Sequence, residues 1–355
     1  MAPFHFCCHT SGMKQLLTLA AAVLFAMPLS AQTAPEQALS PGQIVAEAAP
    51  AEWVAIAPED LLVMTLAPDA RGRGRQVVIQ LMPPPFSRGW VENIRTLAQA
   101  GWYDGLSINR VQDNYVVQWG DPDGEDAARA KPLPNGLRTT DEGVYSTASL
   151  HRYGVGHVVQ WTRGWTDIQQ YGREKGYDIP KYTEFDPLIS GRDAYTGYVS
   201  FYAGFPIAGL VYPDANFNWP VHCYGMVGVG RGMPPDTGSG AELYTVIGHA
   251  PRHLDRNIAL VGRVVEGIEH LSSLPRGTGD LGFYETPEER VPIRSIRLAS
   301  ELPADQRPKF QYLSTESETF ARYAEARANR RDPFFIEPAG GADICNIPVP
   351  VRRAE

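Results

Sequence analysis

The chain has 355 residues, of which 43% are hydrophobic and 20% are charged, and its formal net charge is -8 at pH 7. This composition is typical of a soluble protein with one large domain or two small ones. The negative charge argues against nucleic acid as a partner, and it leaves no basic face for binding anionic lipid.

Residues 1–31 have the pattern of an export signal. Lys14 precedes an apolar run from Leu16 to Met27, and small residues ending at Ala31 provide a cleavage site. The run is too short to span a bilayer, so we expect no transmembrane segment in the mature chain. We therefore expect a periplasmic protein.

Residues 32–58 are rich in Ala, Pro, Glu and Gln, and we expect them to form a flexible leader. The main domain is expected to begin at residue 59. Its first two β-type runs, Leu61–Leu66 and Gln76–Leu81, are joined by a basic turn that contains glycine, which predicts a hairpin. The sequence leaves open whether translation starts at Met1 or at Met13.

A helix is predicted next, with Ser87 as its candidate N-cap, apolar residues spaced along one face, and Gly101 at its end. Two strands follow, Ile108–Val111 and Tyr115–Trp119. Arg110 lies near the end of the first strand, and its neighbours are almost all apolar or aromatic. It could provide the one fixed charge of an apolar pocket, which would suit a neutral amide better than an ion. The alternative is a strand arginine paired with a surface carboxylate.

From about residue 122 to 222 the sequence has no sustained period, although it is rich in Gly, Pro, Tyr, Trp and Asp. A bare loop of this length is uncommon, so we expect a large insertion with short elements of its own. Its aromatic residues could line a ligand groove, but such residues more often pack beneath long loops, and we favour packing. They include Tyr153, Trp161, Trp165, Tyr171, Tyr177 and Tyr182.

Regular patterns resume after the insertion. They predict strands at Tyr224–Val229, Leu243–Gly248, Ile258–Val265 and Val291–Leu298, and a short helix at Gly267–Leu274. Many short strands with few helices indicate an antiparallel barrel or a sandwich, and we favour the barrel because helices could cap its two ends. The main domain is expected to end near residue 300. In the C-terminal extension, residues 301–355, we expect a helix on the surface within Ser314–Arg331.

The cysteines are informative once the signal is removed, because only Cys223 and Cys345 remain. In an oxidising compartment such a pair is expected to form a disulfide. The bridge would close a loop of about 120 residues, worth roughly 4 to 5 kcal/mol in the chain-entropy model. Two buried free thiols are the alternative.

Several motifs fail to support metal, nucleotide or covalent chemistry. The glycines of Gly228–Gly232 resemble half of a dinucleotide fingerprint, but no βαβ unit follows them. His249 and His253 are four residues apart, yet a proline lies between them and no third ligand is near. His222 adjoins Cys223 without the further partners of a catalytic thiol. We therefore expect no metal, no cofactor and no covalent intermediate.

The sequence resembles the cyclophilin-type peptidyl-prolyl cis-trans isomerases. The resemblance covers about residues 60–300, with the long segment 122–222 as an interruption. It implies a mainly β fold, a closed eight-stranded antiparallel barrel capped by two helices, and catalysis without a cofactor. The matching segments, in the family's order, are Val77–Leu81, Val91–Ile94, Gly101–Gly105, Asn109–Val111, Val117–Pro122, His253–Asp255 and Val261–Gly267.

The resemblance also implies roles for individual residues. Arg110 matches the family's catalytic arginine, and Gln118 matches the glutamine that helps to hold the substrate backbone. Four residues would form the pocket for the proline ring. They are Tyr115, Val116, Tyr244 and Leu254.

Other positions on the groove depart from the family pattern. Glu242 replaces a glutamine, and His253 stands where many members have tryptophan or phenylalanine. Gly230 and Arg231 occupy the place of an Ala-Asn pair. Glu242 and Arg231 would therefore add opposite charges around the groove, and the preferred peptides are expected to differ from those of members with a neutral groove.

Two functions from different classes fit these observations. The first is an active isomerase that acts on proline-containing peptides and assists the folding of unfolded exported proteins. The second is a cyclophilin-like module of the cell envelope that binds peptides with little turnover. Retention of Arg110 and Gln118 favours the first, whereas the insertion and the altered groove keep the second open. A third and weaker hypothesis is a β-barrel that binds carbohydrate through the aromatic residues of the insertion.

Overall fold

The computed structural model describes residues 37–149, 193–211 and 216–354. The predicted signal and the six aromatic residues named for the insertion lie outside these ranges. The strands are β1 (Trp53–Ala55), β2 (Leu61–Leu66), β3 (Arg75–Leu81), β4 (Ser107–Val111), β5 (Val116–Gly120), β6 (Thr147–Ser149), β7 (Tyr198–Tyr202), β8 (Phe205–Val211), β9 (Asn216–Pro220), β10 (Met226–Val229), β11 (Leu243–Val246), β12 (Leu260–Glu266), β13 (Val291–Leu298), β14 (Phe310–Leu313) and β15 (Val351–Arg353). The α-helices of the described residues are α1 (Pro41–Ala46), α2 (Arg88–Gln99), α3 (Glu269–Ser272) and α4 (Glu318–Ala328).

A closed barrel forms the centre of the fold. Its eight strands follow the order β10-β11-β5-β4-β13-β2-β3-β12, and β12 returns to pair with β10. Every neighbouring pair is antiparallel. The expected closed antiparallel barrel is therefore confirmed, and closure leaves this sheet without an exposed edge.

Helix α2 packs on β13 of the barrel. The apolar face that its residue spacing predicts is the face that is buried. Trp90, Ile94 and Leu97 are all buried. Ser87 is the N-cap residue, as predicted, but its φ of 50° is left-handed and its side chain makes no capping hydrogen bond. Gly101 follows the helix with a φ of 63°, a left-handed conformation that favours glycine. The second predicted helix, α3, is shorter than its pattern suggests and contacts β3.

The prediction of a flexible leader is wrong from residue 37 onward. Ser40 and Gln43 form a capping box that starts α1, and Ile44 on this helix is buried. Strand β1 then pairs with β14, and its Trp53 is buried too. Composition alone missed this segment because its few apolar residues are buried by distant parts of the chain rather than by each other.

The C-terminal extension is also part of the fold. Strands β1, β14 and β15 form a second sheet, and α4 packs against α1. The expected surface position of this helix is wrong, because Phe320 and Ala324 are completely buried and Tyr323 nearly so. The predicted disulfide between Cys223 and Cys345 is present and ties the extension to the barrel.

The described part of the insertion forms a third sheet, in the order β6-β9-β8-β7. Its β7–β8 turn is held against barrel strand β12 by Arg263, whose Nη1 donates to the Gly204 carbonyl at 2.6 Å. Arg263 Nε donates to Gln80 Oε1 at 2.9 Å, and its guanidinium lies 4.9 Å from the Phe205 ring centre. The insertion is thus joined to the barrel by a buried cation. No helix in the ranges described above is long and apolar enough to cross a membrane.

Candidate active site

Arg110 lies on β4 beside Gln118 of β5, at a shift in register between Ile108 and Arg110. Three neutral oxygens orient its guanidinium. Nη1 donates to Gln118 Oε1 at 3.0 Å, Nε donates to the Leu281 carbonyl at 2.7 Å, and Nη2 donates to Gln112 Oε1. None of the ion pairs found in the described residues involves Arg110, which argues against the surface salt bridge considered above.

Two aromatic rings flank this guanidinium. Its carbon lies 5.7 Å from the ring centre of Tyr115 and 5.2 Å from that of Phe283, within the range of cation–π attraction. Partial burial lowers the pKa of Arg110, while Tyr115 and Glu242 oppose this shift. Because an arginine stays protonated even so, the site holds a permanent positive charge, and no carboxylate of the described residues forms an ion pair with it.

An apolar cluster lies on β5 and β11 next to this charge. It consists of Val116, Tyr244 and Val246, with Tyr115 and Ile258 packed against it. The Tyr244 ring passes over Gly228 of β10, where an added Cβ would lie 2.3 Å from the ring carbon Cζ. The first glycine of the half-fingerprint is therefore needed to make room for a pocket residue and not to bind a nucleotide.

Gln118 and Glu242 continue the hydrogen bonding from Arg110. Gln118 Nε2 donates to Glu242 Oε1 at 2.5 Å, so this amide links the cation to the carboxylate. Burial raises the pKa of Glu242, although the hydrogen bond from Gln118 and the charge of Arg110 lower it. Gly230 leaves space for this side chain, because an added Cβ there would lie 2.8 Å from Glu242 Cγ.

The remaining predicted site residues lie at the rim. His253 is exposed, and its ring stacks on Tyr115 with the ring centres 6.4 Å apart. Arg231 is half-buried and donates to the carbonyls of Asn257 and Gly232, so it does not pair with the Glu242 carboxylate. Leu254 is half-buried in the turn before β12, outside the apolar cluster that contains Tyr244.

The raised pKa of Glu242 has a testable effect on the stability of the fold. A carboxyl whose pKa is raised by folding binds more protons in the folded state, so its ionised form costs stability above that raised pKa. We expect Glu242→Gln to increase the free energy of unfolding at pH 7 by up to about 1 kcal/mol after solvent screening. The gain should disappear as the pH drops below the ordinary carboxyl pKa of 4.5, because the side chain is then protonated in both the folded and the unfolded state. Urea unfolding at pH 7 and pH 4 measures this difference.

The control is Glu288→Gln, because Glu288 is exposed on a 3₁₀ turn away from the site. That variant should unfold as the parent does at both pH values. A Glu242→Gln protein that is less stable than the parent at pH 7 would contradict the expectation.

A buried histidine, His222, contacts the pocket residue Tyr244 from the interior of the protein. The sequence alone did not indicate this role. Tyr244 Oη lies 2.8 Å from His222 Nε2, and His222 Nδ1 lies 2.8 Å from Asp255 Oδ1. Burial lowers the pKa of His222, although Asp255 raises it, which favours the neutral ring. The neutral ring then donates from Nδ1 to Asp255 and accepts the Tyr244 hydroxyl proton at Nε2.

Other contacts to Arg110 were also missed. Gln112, Leu281 and Phe283 come from turns rather than from regular strands, and no periodic pattern marks them. For His222 there was a signal, since a histidine stands directly before Cys223 and a strand of the barrel. Because His222 is adjacent to Cys223, the pattern suggests thiol chemistry more readily than a hydrogen bond to the pocket.

Comparisons with known proteins concern the family and the fold of the chain. A family model described as cyclophilin type peptidyl-prolyl cis-trans isomerase/CLD matches residues 89–298. Among solved structures, the chain is similar to cyclophilin AquaCyp293 from Hirschia baltica, with 21% identity, a TM-score of 0.58, and coverage of 89% of this chain and 98% of that one. At this identity the likeness concerns the fold.

Two structures of a Cryptosporidium parvum cyclophilin type peptidyl-prolyl cis-trans isomerase are more distant. One contains the dipeptide ala-pro, and both have 11% identity, a TM-score of 0.34, and coverage of 67% of this chain and 97% of theirs. None of the curated proteins compared matches the chain.

Proposed function

We propose, on the premise that this chain belongs to the cyclophilin-type peptidyl-prolyl cis-trans isomerase family, that Arg110 catalyses rotation about Xaa-Pro bonds without any covalent step. Rotation faces a barrier of about 18 to 20 kcal/mol because amide resonance must be lost. No bond has to break, so an enzyme can work by binding the twisted amide better than either planar isomer.

The unused donors of Arg110 are the observation that carries this mechanism. A guanidinium has five N–H groups, and three of them are taken by Leu281, Gln118 and Gln112. No group of the described residues takes the second N–H on Nη1 or on Nη2, so one N–H on each is left for a ligand. In the twisted amide the prolyl nitrogen becomes pyramidal and basic, and it can accept a hydrogen bond from such a donor.

The groups around Arg110 have the properties that a proline substrate requires. The apolar cluster with Val116 and Tyr244 offers a surface for the pyrrolidine ring next to the cation. Gln118 is fixed at both ends, because its oxygen accepts from Arg110 and its nitrogen donates to Glu242. A preorganised site of this kind needs no rearrangement as the amide twists, which favours the transition state.

Isomerisation of a short Xaa-Pro peptide tests the proposal. The uncatalysed reaction takes tens to hundreds of seconds at 25 °C, and NMR exchange or a protease-coupled assay should show clear acceleration by the purified protein. A protein that binds the peptide without accelerating it would instead be the peptide-binding module. The half-buried Glu242 beside Gln118 is the observation that favours this second candidate, because its charge alters the groove.

We further propose that the substrates are unfolded proteins exported to the periplasm. The signal pattern of residues 1–31 and the disulfide between Cys223 and Cys345 support an oxidising, exported environment. Expression in a Gram-negative bacterium should yield a periplasmic protein whose N-terminal residue is Gln32. A product that stays in the cytoplasm with its N-terminus uncleaved would count against this proposal.

A further inference from the structure

A chain of buried polar groups runs from the end of the insertion to the pocket. It starts at Asp193, passes through Arg252, Asp255 and His222, and ends at the Tyr244 hydroxyl. We propose that Asp193 is a positioning residue for the proline pocket and that it acts through this chain. The inference rests on the proposed function of the Arg110 site, and it assigns the insertion a role in setting how well the pocket fits proline.

The first half of the chain is an ion-pair network centred on Arg252. Asp193 binds the guanidinium with both oxygens, at 2.7 Å from Nη1 and 3.1 Å from Nη2. Arg252 Nε donates to Asp255 Oδ2 at 2.8 Å. The side chains of Asp193, Arg252 and Asp255 are only 3%, 2% and 4% exposed, so water cannot replace a missing partner. Removal of Asp193 would leave Asp255 as the partner of Arg252 Nε, but it would take away the buried acceptor of Nη1 and Nη2.

The second half joins this network to the pocket. Asp255 uses one oxygen for Arg252 and the other for His222, where Oδ1 accepts from both the ring Nδ1 and the backbone nitrogen. Burial raises the pKa of Asp255, but the hydrogen bonds and charges of His222 and Arg252 outweigh it and lower that pKa. The ionised Asp255 fixes the histidine tautomer, and the tautomer fixes the Tyr244 hydroxyl. The ring planes of His222 and Tyr244 are 10° apart, so the two rings are aligned as well.

Without Asp193, Arg252 would have a different set of partners. Asp343 of the C-terminal extension has an oxygen 3.7 Å from Arg252 Nη1, and its side chain is 45% exposed. We expect the guanidinium to move toward this carboxylate and to draw Asp255 with it. His222 and the Tyr244 ring would then follow, and a misplacement of about 1 Å near a reacting group can slow a reaction by about 10²-fold.

A double-mutant cycle tests the proposal. In the parent, Asp193→Ala should lower kcat/KM for an Xaa-Pro peptide by about tenfold. In a Tyr244→Phe background the pocket ring has no hydroxyl, so the same change should lower kcat/KM by less than about twofold. The Tyr244 hydroxyl proton, protected by His222 in the parent, should exchange rapidly with solvent in Asp193→Ala, and NMR detects this. A purely structural role would slow both backgrounds equally and leave that proton protected.

Asp332→Ala is the matched control, because Asp332 is also a buried aspartate paired with an arginine, Arg330, but lies in the C-terminal extension. It should lower thermal stability and leave kcat/KM unchanged. If Asp193→Ala does not give a folded NMR spectrum, Asp193→Asn takes its place. That variant keeps the shape and one acceptor oxygen, and a loss of about threefold is expected. Parity with the parent would overturn the proposal.

The same rate measurements distinguish failure of the proposed isomerase function from failure of the positioning role of Asp193. If the parent does not isomerise the peptide, or Arg110→Ala isomerises it as fast as the parent, the proposed function fails whatever Asp193 does. If Arg110→Ala slows the reaction while the Asp193 variant matches the parent, or slows both backgrounds equally, only the positioning role is excluded.

Discussion

Replacement of Arg110 by alanine is expected to reduce kcat/KM for Xaa-Pro isomerisation by about 10² to 10³-fold, the usual effect of removing one donor that stabilises a transition state. The variant loses the two N–H groups left for the twisted amide, whereas the apolar cluster with Val116 and Tyr244 remains. Peptide affinity in the ground state should therefore change little. Rates from NMR exchange, with affinities from peptide titration, measure both quantities.

Two further variants make this expectation specific. Arg110→Lys keeps the positive charge but cannot reach Leu281, Gln118 and Gln112 with one compact ammonium, so most of the activity should still be lost. Arg294→Ala removes an exposed arginine from β13 and should be as active as the parent. Equal rates for Arg110→Ala and the parent would show that the cation does not act on the substrate.

The second large effect concerns stability. Cys345→Ser should lower the free energy of unfolding by about 4 to 5 kcal/mol in the chain-entropy model, because the disulfide joins residues 122 positions apart. Denaturant unfolding of the oxidised parent and the variant measures the difference. The variant should also expose the contacts of the C-terminal extension earlier than those of the barrel, which hydrogen exchange can follow.

The matched control uses the same protein under reducing conditions. Reduced parent and Cys345→Ser should unfold at the same denaturant concentration, and a reductant should have no effect on the variant. Cys223→Ser should behave like Cys345→Ser, because either change removes the same cross-link. A parent whose stability is unaffected by reduction would contradict the expectation.

The barrel could be predicted because its strands have local signals. Val291–Leu298 alternates apolar and polar residues and forms a strand with those bounds, and the hairpin of β2 and β3 follows two apolar runs around a turn. The segment from Ser40 to Trp53 could not be predicted in the same way. Its helix is one and a half turns long, and it is stable because it packs on α4, which lies far away in the sequence.

The same distinction between local and long-range contacts applies to the site. Arg110 and Gln118 lie on adjacent strands, and Tyr115 lies on the short turn that joins them, so their proximity follows from the predicted hairpin. Leu281 and His222 reach the site from distant parts of the chain. Only the closed order of the strands brings them there, and neither residue belongs to a motif that indicates hydrogen bonding to the site.

The sheet of β1, β14 and β15 has a consequence for the time at which folding can be completed. Its first strand begins at Trp53 and its last at Val351, and β14 lies between them in the sheet. A chain that emerges from its N-terminal end, from a ribosome or an export channel, must therefore hold β1 without a strand partner until Phe310–Leu313 of β14 have appeared. The barrel can close only after β13 has appeared, and the outer sheet can be completed only after β15 has appeared. Folding that starts at the N-terminal end therefore cannot complete this outer sheet before Val351–Arg353 of β15 have emerged.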